Sequence, residues 1–169
     1  HYPLIANQAS GIEDPDLARH IELTLAILIA EIDHTDLCPD LISLLSNRNT
    51  WIRYWALKGL ATEKMSEFLM RQEPASDLIG SLLTGFNNAL NDETNSLLLS
   101  QIVVSAALPK FSEALEVIPV CLEKRWAHYN QWTISDELTD ITSIQTTLAL
   151  LGKGTLAENV ELQKSLLYS

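Results

Sequence analysis

Apolar residues recur at three- and four-residue steps along most of the chain, the spacing of helices that bury one face. The first such stripe is Leu17, Ile21, Leu25, Leu28 and Ile32. It follows Asp14-Pro15-Asp16, an Asp cap, a proline at the first helical position and an acid against the helix dipole. Ile27 and Ile29 widen the stripe and predict neighbours on two sides. A turn at Asp33-His34-Thr35-Asp36 leads into a helix that starts at Asp36 or Cys38, holds Pro39 in its first turn and ends at Ser46. The polar corner Asn47-Arg48-Asn49 then opens a helix over 50–62, and a short helix over 65–72 follows. Ser76 caps a helix to Leu90, with Leu78, Leu82, Phe86 and Ala89 on one face.

Asn91-Asp92-Glu93 forms a second corner before an apolar helix over 97–108, which Pro109 stops. The helix opened by Ser112-Glu113 carries Pro119 inside it and continues to Trp126 or Tyr129. An interior proline costs about 3 kcal/mol in a straight helix, so a bend is predicted between Val117 and Val120. Ser135-Asp136-Glu137 caps a helix to Leu151 whose predicted buried stripe is Leu138, Ile141, Ile144, Leu148 and Leu151. Gly152 and Gly154 end it, and Thr155 opens a last helix. Residues 1–12 lack periodicity and are expected to form an N-terminal arm to a domain over 13–169.

The predicted caps Asp14, Asn49, Asp92 and Ser135 are 35, 43 and 43 residues apart. The intervening helices start near Asp36, Ser76, Ser112 and Thr155, at steps of 40, 36 and 43. Two-helix units recurring at about 40 residues are the signature of α-solenoids; a plain helical bundle is the structural alternative. Asn49-Thr50-Trp51-Ile52-Arg53-Tyr54-Trp55-Ala56-Leu57-Lys58-Gly59-Leu60 resembles the second helix of a HEAT repeat. Ile52, Arg53, Ala56 and Leu60 fall at the pattern's positions and Gly59 in a small-residue slot. Asp14-Pro15-Asp16-Leu17 is similar to the start of the same helix, with Arg19 one place late. Pro39-Asp40-Leu41-Ile42 and Pro119-Val120-Cys121-Leu122 resemble first helices of the family, where a proline commonly bends the helix.

The third unit departs from the pattern, because no Arg follows Asp92. The resemblance covers most of the chain by layout and is clear over residues 36–62. It implies an all-α fold, a right-handed α-α superhelix of about four HEAT-like helical hairpins. The same stretch also resembles an armadillo inner helix, but Gly59 stands where nuclear-import receptors carry a clamping Asn.

Composition agrees with a helical core: 47% of residues are apolar and only 7% aromatic. The longest near-apolar run, residues 23–30 between Glu22 and Glu31, is too short for a bilayer span. The formal net charge of −11 is uneven. Residues 1–47 hold eight acids against Arg19, and residues 72–109 hold four acids with no base. Such a field disfavours nucleic-acid backbones and anionic membranes and favours a basic partner. Cys38 and Cys121 are expected to be buried, reduced thiols, which suggests a cytoplasmic protein.

Little in the chain promises chemistry. His20 with Glu22, His34 with Cys38 and Cys121 with His128 pair up in sequence, but two ligands make no site. The His-Glu dipeptides of HEAT-type deoxyhypusine hydroxylases are missing, and so are a phosphate loop, a nucleophile elbow and a Ser/His/Asp arrangement. No catalytic residue, metal or cofactor is therefore expected. Arg53, Pro39 and Pro119 are expected to be structural, with Arg53 reaching the acids or terminal carbonyls of a neighbouring unit's corner.

Trp51, Tyr54 and Trp55 exceed what one such helix can bury, so Trp51 and Tyr54 are candidate partner anchors. Asp33, Asp36, Asp40, Asp92 and Glu93 would lie near corners or groove rims. The function expected is a non-enzymatic scaffold that binds a protein, in particular a basic segment, on an acidic concave solenoid surface. A HEAT-like lyase or modifying enzyme is the first alternative, and it predicts a deep pocket around His20, His128 or Cys121. The second is a purely structural segment of a larger solenoid.

Overall fold

Side-chain caps fix most of the helix starts. In the computed structural model, which describes residues 14–73, 76–91, 95–108, 112–130 and 137–152, the chain forms helices and no strand among those residues. Helix α1 spans Pro15–Ile32, with Asp14 accepting the Asp16 and Leu17 N–H groups. A 3-10 turn, Thr35–Leu37, leads into α2, Cys38–Leu44, with Pro39 in its first turn. Asn49 caps α3, Thr50–Leu60, and Thr62 caps α4, Glu63–Met70. Ser76 caps α5, Asp77–Leu90. Each cap oxygen satisfies a backbone donor that the first helical turn leaves open.

Helix α6, Ser96–Ala107, is capped by Asn95, not by the predicted corner at 91–93. The side chain of Asn95 accepts the Leu98 N–H at 3.1 Å. The second-helix caps therefore fall at 14, 49 and 95, so the steps are 35 and 46 residues and less regular than expected. Asp92 and Glu93, like the expected arm at 1–12 and the helix expected after Thr155, lie outside the described residues.

Pro119 does not sit within a bent helix. The chain breaks at Glu116 into α7, Ser112–Leu115, and α8, Val117–Asn130. Pro119 thus falls in the first turn of α8, where its missing N–H removes no intrahelical bond. The final described helix is α9, Glu137–Gly152.

Contacts arrange these helices in two rows, α1–α3–α6–α9 and α2–α5–α8. Within the first row neighbours run parallel. The last turns of α1 and α3 meet where Lys58 pairs with Glu31 at 3.1 Å. The last turns of α3 and α6 meet where Ser105 Oγ donates to the Leu57 carbonyl at 3.0 Å. The first turns of α6 and α9 meet where Ser100 Oγ donates to the Thr139 carbonyl at 3.0 Å.

Glycine sets the closest approaches. A methyl group at Gly59 would lie 2.9 Å from Ala30 Cα, and one at Gly85 would lie 2.7 Å from Leu45 Cδ1. One buried cluster includes Leu44, Leu45, Ile52, Leu57, Leu82 and Phe86 from α2, α3 and α5 with Leu98 and Ile102 of α6 and Ile118 of α8. No helix among the described residues is long and apolar enough to cross a membrane.

The two terminal helices of the first row overturn the predicted stripes. In α1 the buried residues are Ala26, Ile29 and Ala30, while Leu17, Leu28 and Ile32 are 51, 52 and 60% exposed. In α9 Asp140, Ser143, Thr147 and Leu150 are buried, while Leu138, Ile141, Ile144 and Leu148 are exposed. In α9 the polar row made the inward face and the Leu/Ile stripe was left outside; in α1 only part of the stripe faces out, since Ile29 is buried and Leu25 packs half-buried against the core.

Candidate interaction surfaces

The outward side of the first row carries the aromatic surplus. Helix α3 buries Ile52, Ala56, Leu57, Gly59 and Leu60. Residues 51, 54, 55 and 58, three and four apart, consequently form the opposite ridge. Trp51 is half exposed and Tyr54 and Trp55 are half-buried. The Trp51 and Tyr54 rings meet edge-on at 6.1 Å, and Tyr54 and Trp55 at 5.9 Å. Lys58 Nζ lies 4.1 Å from the centre of the Trp55 ring while it pairs with Glu31. The two anchors predicted from sequence are thus neighbours in a three-ring ladder closed by a cation.

Beside this ladder α6 presents a second strip. Its Ser105 side faces α3 and its Ser100 side faces α9. Leu97, Gln101, Val104 and Leu108 lie between those sides, spaced as one helical stripe, and all are half-buried. The outward face of α3 and α6 is therefore aromatic, aliphatic and amide, with Lys58 as its cation.

The predicted acids gather elsewhere. Asp33 ends α1 with φ 50°, in the left-handed region. Its carboxylate accepts from Thr62 Oγ1 at 2.6 Å and its carbonyl from Lys64 Nζ at 2.7 Å, so it ties the end of α1 to the start of α4. Asp36 is exposed in the 3-10 turn, where its N–H donates to His34 Nδ1 at 3.3 Å. Asp40 is half-buried in the first turn of α2. Thr62 follows the last turn of α3, roughly 16 Å along the axis from Trp51 at about 1.5 Å per residue. Acids and aromatics therefore form two places instead of one site.

Arg53 braces the corner that precedes its helix. Its Nη1 donates to the Asn47 carbonyl at 2.8 Å and the Arg48 carbonyl at 3.3 Å, and Nη2 to Thr50 Oγ1 at 3.2 Å. These bonds close its own α2–α3 corner. The chain matches no protein-family model, no curated protein and no solved structure. What it does must be argued from these surfaces.

A polar cluster that the hydrophobic pattern hid joins α8 to α9. Arg125 grips Asp140 with two parallel bonds, Nε to Oδ1 at 2.7 Å and Nη2 to Oδ2 at 2.8 Å, and both residues are buried. Tyr129 Oη donates to Asp140 Oδ2 at 2.6 Å. Burial pushes the Asp140 carboxyl up, but the bonds from Arg125 and Tyr129 outweigh it and hold the group below its ordinary value. The bond to Asp140, then burial, raises the Tyr129 phenol. Its signal in the sequence was the row Asp140, Ser143, Thr147, as periodic as the apolar row beside it.

Cys38 and Cys121 are buried free thiols, as expected, and burial pushes each up to about 12. Thiolate chemistry is therefore suppressed at both. Among the described residues no group of three or more His, Cys, Asp or Glu side chains could hold a metal. An open groove of about 770 Å³ runs between α2 and α5, lined largely by small residues such as Ser43, Ser46, Gly80, Ser81 and Gly85. Its lining does not include His20, His128 or Cys121.

Proposed function

We propose that the protein is a non-enzymatic, HEAT-like α-solenoid scaffold that binds a partner protein along the outward side of its first row. The observation that carries this reading is the ladder of Trp51, Tyr54 and Trp55 beside the uncharged strip of α6. Two rows of helices joined by tight corners are the parts of a stacked helical-hairpin array, and such arrays bind along extended surfaces. Half-exposed aromatic residues with restricted rotamers are the side chains that most often anchor a protein interface.

The partner on this reading is a basic segment. The net charge of −11 attracts it from a distance, and the acids of the α1–α2 corner add to that field. The ladder then holds a cation at close range. Lys58 over Trp55 shows the geometry within the chain itself, and Trp51 offers a second indole for a partner's Arg.

Fluorescence titration of the full chain with an Arg-rich peptide, against an acidic peptide of equal length, tests this. We expect binding of the Arg-rich peptide only, weakening as salt rises, and a loss of about tenfold in Trp51→Ala, the scale of a modest anchor. Binding that ignores salt, or that survives Trp51→Ala unchanged, would sink the proposal.

A further inference from the structure

The exposed apolar stripes of α1 and α9 occupy equivalent places at opposite ends of the same row. On α1, Ala26 and Ala30 face into the row, with Ala30 against Gly59 of α3. Leu17, Leu28 and Ile32 lie on the opposite side of the helix, half or more exposed. On α9, Ser143 and Thr147 face inward. Leu138, Ile141, Ile144 and Leu148 point the other way and are 47 to 79% exposed. Each stripe is therefore where one more helix of the row would pack, continuing the contacts α1–α3, α3–α6 and α6–α9.

We propose that a second copy of this chain supplies that helix, the α9 stripe of one copy docking on the α1 stripe of the next. Two observations favour this head-to-tail arrangement over like-on-like pairing. Every contact inside the row joins parallel helices, and α9 on α1 continues the row with that polarity. Charge acts in the same direction: α1 carries Asp16, Glu22 and Glu31 against Arg19 and starts and ends on Asp14 and Asp33, so two α1 faces, each net acidic, repel. The α9 stripe with its exposed neighbours Thr142, Gln145 and Ala149 carries one charge, Glu137 in the first turn, and it meets an acid-rimmed face with less repulsion than a second α1 face would. The contact is heterologous, so it propagates beyond a dimer unless it closes into a ring.

Sedimentation velocity on the full chain across a wide concentration range tests it, with the exposed-site variants Leu28→Glu and Leu148→Glu. Wild type is expected to grow in mass with concentration, and more so at higher salt, because screening relieves repulsion between chains of charge −11. Each variant alone is expected to be monomeric. Their equimolar mixture is expected to give a one-to-one dimer and nothing larger, since each keeps the end that the other lacks. Monomeric wild type at every concentration, a variant that dimerises alone, or a mixture that stays monomeric overturns the proposal. Circular dichroism checks folding, and Leu28→Gln with Leu148→Gln replaces any variant that fails it.

Discussion

Replacing Asp140 with Asn keeps the side chain's shape and removes one charge from a pair in which both partners are buried. The Arg125 guanidinium then remains in a place that water barely reaches. Breaking such a pair by removing one partner costs about 3–5 kcal/mol. Asn still accepts one bond from Arg125 or Tyr129, so the low end, about 3 kcal/mol, is expected. The sign of the pH dependence follows from the same contacts. Asp140 is held below its ordinary value in the folded chain. Its ionised form is therefore favoured by folding, and its contribution is full above pH of about 4 and lost as pH falls further.

Urea unfolding followed by circular dichroism at neutral pH measures the loss, and repetition at lower pH should show the wild-type advantage over Asp140→Asn shrinking. Gln145→Ala, on the exposed side of the same helix, serves as the control and should stay within about 0.5 kcal/mol of wild type. The charge-free pair Arg125→Met with Asp140→Leu should recover most of the loss, because hydrophobic replacement removes the desolvation cost together with the attraction. A single variant within about 0.5 kcal/mol of wild type, or a double variant no better than the single, would refute the assignment of this pair as the α8–α9 clasp.

Two glycines of the rows should respond oppositely to Ala. Gly80 faces open space in the first turn of α5, so Gly80→Ala should raise stability by about 0.5 kcal/mol. Gly59→Ala drives a methyl into the Ala30 backbone and should lower it by about 1–2 kcal/mol, both read from denaturant midpoints. Arg53→Ala leaves the Asn47 and Arg48 carbonyls without their charged donor and should cost about 2 kcal/mol in the same assay, with Arg53→Lys recovering only part. A thiol reagent at mildly alkaline pH should leave Cys38 and Cys121 unmodified in the folded chain and label both after denaturation; rapid labelling of either in the folded state would contradict their burial.

Local chemistry made much of this fold legible. Asp14, Asn49 and Ser76 stand where the caps are needed, and the positions of their helices followed from them. The faces of the terminal helices were not legible. In α9 two rows share the helical period, Leu138-Ile141-Ile144-Leu148 and Asp140-Ser143-Thr147, and hydrophobicity alone selects the wrong one. Arg125 and Tyr129, on the preceding helix, make the polar row the inner one by giving Asp140 its partners.

The cap of α6 was misplaced because Asp92 and Asn95 are equally competent capping residues and the period pulled towards the earlier one. At the candidate site, the excess of aromatic residues at 51, 54 and 55 was visible as a count. Its meaning required knowing that α6 places an uncharged strip beside it and that the acidic corner lies at the other end of α3.

The central claim, that the outward side of α3 is the binding face, is tested most directly by the indole N–H signals of the chain. Trp51 and Trp126 are almost equally exposed, at 50 and 52%, but Trp126 stacks on Tyr129 in the second row, away from the proposed face. In a nitrogen–proton correlation spectrum titrated with the Arg-rich peptide, the Trp51 and Trp55 indoles should shift together while the Trp126 indole stays in place. Shifts confined to Trp126, or no indole shift while amides of the Asp33–Asp40 corner move, would place the partner elsewhere and contradict the account.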